Sequence, residues 1–237
     1  MKTPILILAF ACFLTGSYAQ SFAVINDKDG YVNVRKDKNI NSYVVGKLDI
    51  NSIFGIWEQG DDKSDWVEIY SQLGDNKGIQ GYIHKSRIKF LSSFNSIKNV
   101  HYQDNFCSAK NDSIKIRINS SKFIAKAHRV KYNKPTNNEG SYIESIDNKP
   151  IWGTDGELPK RGISLVSVII KGKAIQIPKS AFNDLYEPRF STLNVYLGIN
   201  NTIYIELDNS DGAGYYTGIW VIKNGHYQKR YIDNSEA

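Results

Sequence analysis

The chain has 237 residues, 41% hydrophobic and 12% aromatic, which is enough to fill one or two packed cores and too apolar for a disordered chain. Its formal net charge is +6, but the Lys and Arg residues are scattered rather than run together, so a solvated basic surface is the plain reading. Only two cysteines are present, Cys12 in an N-terminal apolar stretch and Cys107, so no disulfide is expected to staple the folded part.

Residues 1–19 carry a single charge, Lys2, then an apolar run from Pro4 to Leu14, then Thr15 to Ala19 with Ser17 and Ala19 flanking Tyr18. That order is the pattern of a signal peptide, and it predicts cleavage after Ala19 and a secreted or periplasmic product that does not meet nucleic acid. A lipid anchor on Cys12 is disfavoured by the bulky Phe10 between Ala9 and Ala11. No later stretch approaches the ~20 apolar residues of a transmembrane segment.

Residues 20–91 read as a first, all-β domain. Short runs of β-branched and aromatic residues, Phe22–Ile25, Tyr31–Val34, Val44–Leu48, Ile53–Trp57, Trp66–Tyr70 and Gly81–Ile83, are cut by polar turns. In a unit this small, closing the sheet into a barrel protects its edges. Val32 and Val34 should face the core while Asn33 and Arg35 point outward, and Gly46 permits a bulge or a close strand approach.

Residues 92–112, rich in Ser, Asn, Lys and Asp, predict a linker that contains Cys107. Residues 113–237 then predict a second antiparallel β-rich domain, a sandwich or a curled sheet. Ile114, Ile116 and Ile118 alternate with Lys115 and Arg117 as a half-buried strand requires. Val166–Ile170 and Ala174–Ile177 flank the turn Lys171-Gly172-Lys173. One short helix is expected within Ser180–Tyr186, capped by Ser180 and stopped by Pro188. Leu193–Leu197 with Thr202–Leu207, and Tyr215–Ile222 with Tyr227–Ile232 across Asn224-Gly225, predict two further hairpins.

Four blocks in order, Tyr31-Val-Asn-Val-Arg35, Val44-Val-Gly-Lys-Leu48, Trp66-Val-Glu-Ile69 and Gly81-Tyr-Ile-His84, resemble the bacterial SH3 (SH3b) family. The resemblance covers about 70 residues. The sequence departs from the family pattern at Val32, at Lys36-Asp37 after Arg35, at Tyr82, and in the insert Gln72–Gln80. The resemblance implies an SH3-like β-barrel that binds an extended peptide or glycan on an aromatic platform. It makes Tyr31, Arg35, Trp57 and Tyr82 the ligand-binding candidates. A small barrel must also fill its core, a role that suits Trp57 and Trp66. No family is recognised for the C-terminal half.

Residues that carry catalysis elsewhere fall short of a constellation. Cys107 with His101 or His128 supplies the types for a thiol peptidase but not the sequence context. His84, His101, His128 and His226 lack metal-ligand spacing. Asp208-Asn-Ser-Asp211-Gly-Ala-Gly214 misses the spacing of a calcium loop. No catalytic residue, metal ligand or cofactor is therefore assigned. The expectation is an exported, non-enzymatic SH3b-domain protein that binds a cell-envelope component, a peptidoglycan peptide or a protein partner. Two alternatives stay open: a peptidoglycan peptidase whose C-terminal half is catalytic, and an inhibitor or immunity-type protein that blocks a protein target.

Overall fold

The structure is a computed structural model that describes residues 21–50, 52–56, 63–73, 77–133, 140–209 and 214–234. It is all-β. The first seven strands are β1 (Ser21–Ile25), β2 (Tyr31–Arg35), β3 (Val44–Asp49), β4 (Ile53–Ile56), β5 (Trp66–Leu73), β6 (Lys77–His84) and β7 (Ile88–Phe90). They form one curled antiparallel half-barrel in the order β3-β2-β6-β5-β4-β1-β7. The alternation expected from the sequence sets its inner face: Ala23, Val34, Leu48, Phe54, Ile56, Ile69 and Ile83 are almost fully buried in one cluster. Gly46 marks a close approach, since a Cβ there would lie 2.6 Å from Ile79 Cδ1. The β2–β3 register shifts beside it, between Val34 and Arg35.

The segment 92–112, expected as a linker, is instead mostly strand. It contains β8 (Asn95–Ser96), β9 (Asn99–Gln103) and β10 (Phe106–Lys110). Its polar density concealed an alternation in which Cys107 and Ala109 are buried while Ser108 and Lys110 face outward. The remaining strands are β11 (Ile114–Lys122), β12 (Val130–Tyr132), β13 (Ile143–Ile146), β14 (Arg161–Ile170), β15 (Lys173–Ile175), β16 (Asn194–Leu197), β17 (Thr202–Asp208), β18 (Thr217–Lys223) and β19 (His226–Asp233).

Two five-stranded sheets, β15-β14-β11-β10-β9 and β19-β18-β17-β16-β8, make a sandwich, with β12 and β13 paired as a small appendage. Cys107, Ile116, Ile118, Val166 and Val168 from the first sheet share one core with Val195, Ile205, Leu207, Trp220 and Ile222 from the second. The Asn-Gly hairpin forms as expected, with Asn224 at φ 51° and Gly225 at φ 75°.

The central strands of the second sheet, β17 and β18, are buried on both faces, which explains why Thr217–Ile222 is buried throughout. Trp220 and Ile222 face the sandwich core, while Tyr204, Ile219 and Val221 pack on Phe22, Val24, Ile53 and Leu91 of the half-barrel. The two β units therefore share a third apolar cluster, built on the face of β1 and β4 turned away from the half-barrel core.

The short helix expected within Ser180–Tyr186 is reduced to a single 3-10 turn, Lys179–Ala181. Helical continuation loses to backbone pairing with β14 and with the bridge residue Trp152. The Leu185 carbonyl accepts from the Ile163 amide at 2.9 Å, and the Tyr186 amide donates to the Trp152 carbonyl at 2.8 Å. The turn itself is pinned by Trp220, whose indole Nε1 donates to the Ala181 carbonyl at 2.7 Å. No helix among the described residues is long and apolar enough to cross a membrane.

Candidate functional site

The outer face of β2, β6 and β5 carries every second side chain of those strands, because a strand alternates its residues between faces. Register places Arg35 opposite Tyr82, Tyr82 opposite Glu68, and Trp66 opposite His84. A Cβ at Gly81 would lie 2.5 Å from the Arg35 carbonyl, so glycine is what lets β6 approach β2 at this point. Tyr31, Asn33 and Arg35 complete the outer face from β2.

A cleft of about 110 Å³ opens on this face, lined chiefly by Tyr31, Asn33, Arg35, Ile40, Trp66 and His84. Trp66, expected in the core, is half-buried here, with its ring edge-on to His84 at 5.3 Å. The inward positions it would have needed belong to Val67 and Ile69. The Arg35 Nη1 donates to the Ser42 carbonyl at 2.8 Å and so draws in the loop that carries Ile40, whose side chain is exposed. The Lys47 ammonium sits over the Tyr31 ring at 4.4 Å. At the rim, the Arg87 guanidinium binds Asp27, and the Asp29 amide together with Arg87 holds the Asp27 carboxyl below its usual range.

Asn33 has a buried Oδ1 that accepts no hydrogen bond among the described residues. An orphaned acceptor of this kind costs about 1–3 kcal/mol. The cleft is far smaller than the roughly 300–1,000 Å³ that encloses a small molecule, and its size suits one side chain of an extended chain.

Of the four residues expected to bind ligand, the structure brings Tyr31 and Arg35 together on the cleft. Tyr82 sits beside Arg35 but outside the cleft, where its hydroxyl donates to Glu68 Oε2 at 3.4 Å and Lys38 lies 5.6 Å from its ring. Trp57 lies outside the described residues. Sequence reasoning missed Asn33, Ile40 and His84 as lining residues. Asn33 and His84 were legible in principle, because they share strand parity with Arg35 and Tyr82.

A second, polar cleft of about 100 Å³ lies where the half-barrel meets the second sandwich sheet, lined by Ser21, Phe22, Leu91, Tyr196, Glu206 and Asp208 among others. Burial first, and the Asp208 charge second, push the Glu206 carboxyl up to about 7. Asn194 Nδ2 and the Tyr196 hydroxyl both donate to Glu206 Oε1, at 3.1 and 3.2 Å. The Asp208 carboxyl is also raised by burial, while its Oδ1 accepts from Thr217 at 2.8 Å.

Cys107 does not form a nucleophile with histidine. It faces the sandwich core opposite Ile118, whereas His101 lies on the outer face opposite Ser108. Burial pushes the Cys107 thiol up to about 12. His128 is engaged by Asp147, Nδ1 to Oδ2 at 2.7 Å. Cys107 in the folded protein is expected to react with iodoacetamide at least about 100-fold more slowly than in the denatured chain. Comparable rates in the two states would show that the thiol is accessible and its strand open.

Among the described residues no group of three or more His, Cys, Asp and Glu could hold a metal ion. The loop weighed for calcium falls partly outside the described residues, which stop at Asn209 and resume at Gly214. The sequence matches no protein-family model and no curated protein.

Proposed function

We propose that this chain is an exported binding protein whose SH3b-like half-barrel takes an extended peptide of the cell envelope, without catalysis, in the cleft beside Tyr31 and Trp66. The observation that carries this reading is the cleft itself: two aromatic rings and Ile40 for an apolar side chain, and Arg35 for a carboxylate or carbonyl. Export is supported by the apolar run of residues 4–14 ahead of Ser17-Tyr18-Ala19. Three of the four SH3b-like blocks supply strand residues that line the cleft: Tyr31, Asn33 and Arg35 from the first, Trp66 from the third and His84 from the fourth. Peptidoglycan stem peptides are the first ligand class to try, because they are extended, carry free carboxylates and are reached after export.

The test is sedimentation of the purified protein with isolated peptidoglycan, with muropeptide analysis of the supernatant. The protein is expected to pellet without releasing fragments, and Tyr31→Ala or Arg35→Ala is expected to weaken pelleting about fivefold to tenfold. Tyr31 and Arg35 are solvent-facing enough for these variants to fold. Fragments in the supernatant would replace the binding module with a hydrolase. Absence of pelleting, with capture of an envelope protein instead, would move the ligand from cell wall to protein.

A further inference from the structure

The first sandwich sheet has an outer face with no protein packed on it among the described residues, and its composition is one-sided. Strands β9, β10, β11, β14 and β15 contain no Asp or Glu, although the chain has 24 acids. On the outer face they carry His101, Lys110, Lys115 and Arg117. The acids nearest in sequence, Asp104 and Asp112, sit in the two turns that join β9 to β10 and β10 to β11.

Register makes the arrangement specific. Lys110 lies directly opposite Lys115, and neither has an ion-pair partner among the described residues. Like charges placed directly across a strand pair repel, so this pair is tolerated by the fold rather than useful to it. A Lys171 amide to Ser113 carbonyl bond at 2.7 Å brings the next turn, with Lys171, to the same end of the sheet. Between the cations lie apolar side chains. Ile169 stands opposite Lys115, and Leu165, 42% exposed, stands opposite Asn119, which in turn faces Phe106. Arg117 is stacked on Phe106 with its guanidinium carbon 3.9 Å from the ring centroid, and its Nε donates to Asn119 Oδ1 at 2.9 Å.

From this juxtaposition we infer that the outer face of β15-β14-β11-β10-β9 docks on a lipid bilayer with anionic headgroups. A soluble polyanion would neutralise the lysines and leave Leu165 and Ile169 without a role. A bilayer interface uses both sets, with Lys and Arg tips among the headgroup phosphates and the apolar side chains at the boundary below them. The approach of an anionic surface also relieves the Lys110–Lys115 repulsion. This site lies on the sandwich, apart from the half-barrel cleft, and does not depend on the peptide-binding reading.

The test is co-sedimentation of the purified protein with vesicles of phosphatidylcholine alone and of phosphatidylcholine mixed with phosphatidylglycerol, at low and at physiological salt. Binding is expected only to the anionic vesicles and should weaken with salt. The double variant Lys110→Glu/Lys115→Glu should lower partitioning by about tenfold or more. Leu165→Ser, which leaves the charge unchanged, should lower it several-fold. Lys115→Glu alone turns a repelling pair into an attracting one, so its melting temperature should hold or rise while vesicle binding falls, separating binding from folding. Tyr31→Ala should bind vesicles like the parent, which keeps this result distinct from the cleft. No partitioning onto anionic vesicles at low salt, or partitioning that the double reversal does not change, would overturn the inference. So would Leu165→Ser binding like the parent, since the face would then read charge alone.

Discussion

Replacing Arg230 by Ala is expected to destabilise the protein by about 3–5 kcal/mol, read as a shift of the denaturant midpoint with unchanged slope. Arg230 on β19 grips Asp184 with both guanidinium arms, Nη1 to Oδ1 at 2.5 Å and Nη2 to Oδ2 at 2.9 Å. Asp184 is 5% exposed, so removing the cation leaves a largely buried carboxylate without its counter-charge. The pair ties the edge strand of the second sheet to the segment that follows the 3-10 turn, where Leu185 is fully buried between the sheets. The melting temperature should fall by roughly 10 °C. The double variant Asp184→Asn/Arg230→Met should recover much of the loss, because it removes both charges rather than one. A loss under about 1 kcal/mol for Arg230→Ala would mean that the carboxylate is solvated in the native state.

Glu206 supplies the second large effect, and its sign is opposite to that of a paired carboxylate. Its folded-state pKa of about 7 lies above the ordinary value of 4.5, so the native state holds the proton more tightly than the unfolded chain does. The contribution to stability is therefore greatest below the unfolded value, and it declines as pH rises from about 4.5 to about 7. The decline reaches up to about 3 kcal/mol, less what partial solvent access to the cleft takes away. The raised Asp208 carboxyl acts in the same direction. Glu206→Gln keeps an oxygen for the Asn194 and Tyr196 donors and removes the buried charge. It is expected to raise stability at pH 8 by about 1–3 kcal/mol and to change little at pH 4. Subtracting the two pH profiles isolates this group from Asp27 and Asp147, whose lowered values tilt stability the other way at lower pH. Parallel profiles for the two proteins between pH 4.5 and 7 would show that Glu206 is not titrating as described.

Both effects come from contacts that no sequence pattern announces. Asp184 and Arg230 are 46 residues apart and meet because β19 closes the second sheet over the segment between β15 and β16. Asp184-Leu185-Tyr186 and the Gly214 before Tyr215 look like motifs in the sequence. In the fold they are packing devices: Leu185 fills the core, Tyr186 packs on Ile143 and Ile146, and a Cβ on Gly214 would lie 2.6 Å from the Thr154 backbone.

The sequence by itself determined the all-β class, most strands and their facing, and the Asn224-Gly225 hairpin. Those features follow from residue alternation and from local turn energetics, which act over a few residues. It also placed Tyr31 and Arg35 on one outer face, since parity along a single strand is enough for that. Only the tertiary structure decided which residues share the cleft. Trp66 was expected in the core, but that space is filled by Val67, Ile69 and Ile83, so the ring is left beside His84 on the outside. It likewise decided that most of 92–112 would be strand. Polar composition argues for a linker, but a neighbouring sheet offers the backbone a ladder of hydrogen bonds and buries Cys107 and Ala109 completely, and propensity is too weak to oppose that. The union of the two β units was also beyond local reading. Phe22, Val24 and Ile53 sit on the outer side of the half-barrel, where alternation predicts polar residues, and they are apolar because Tyr204, Ile219 and Val221 of a sheet far along the chain cover them.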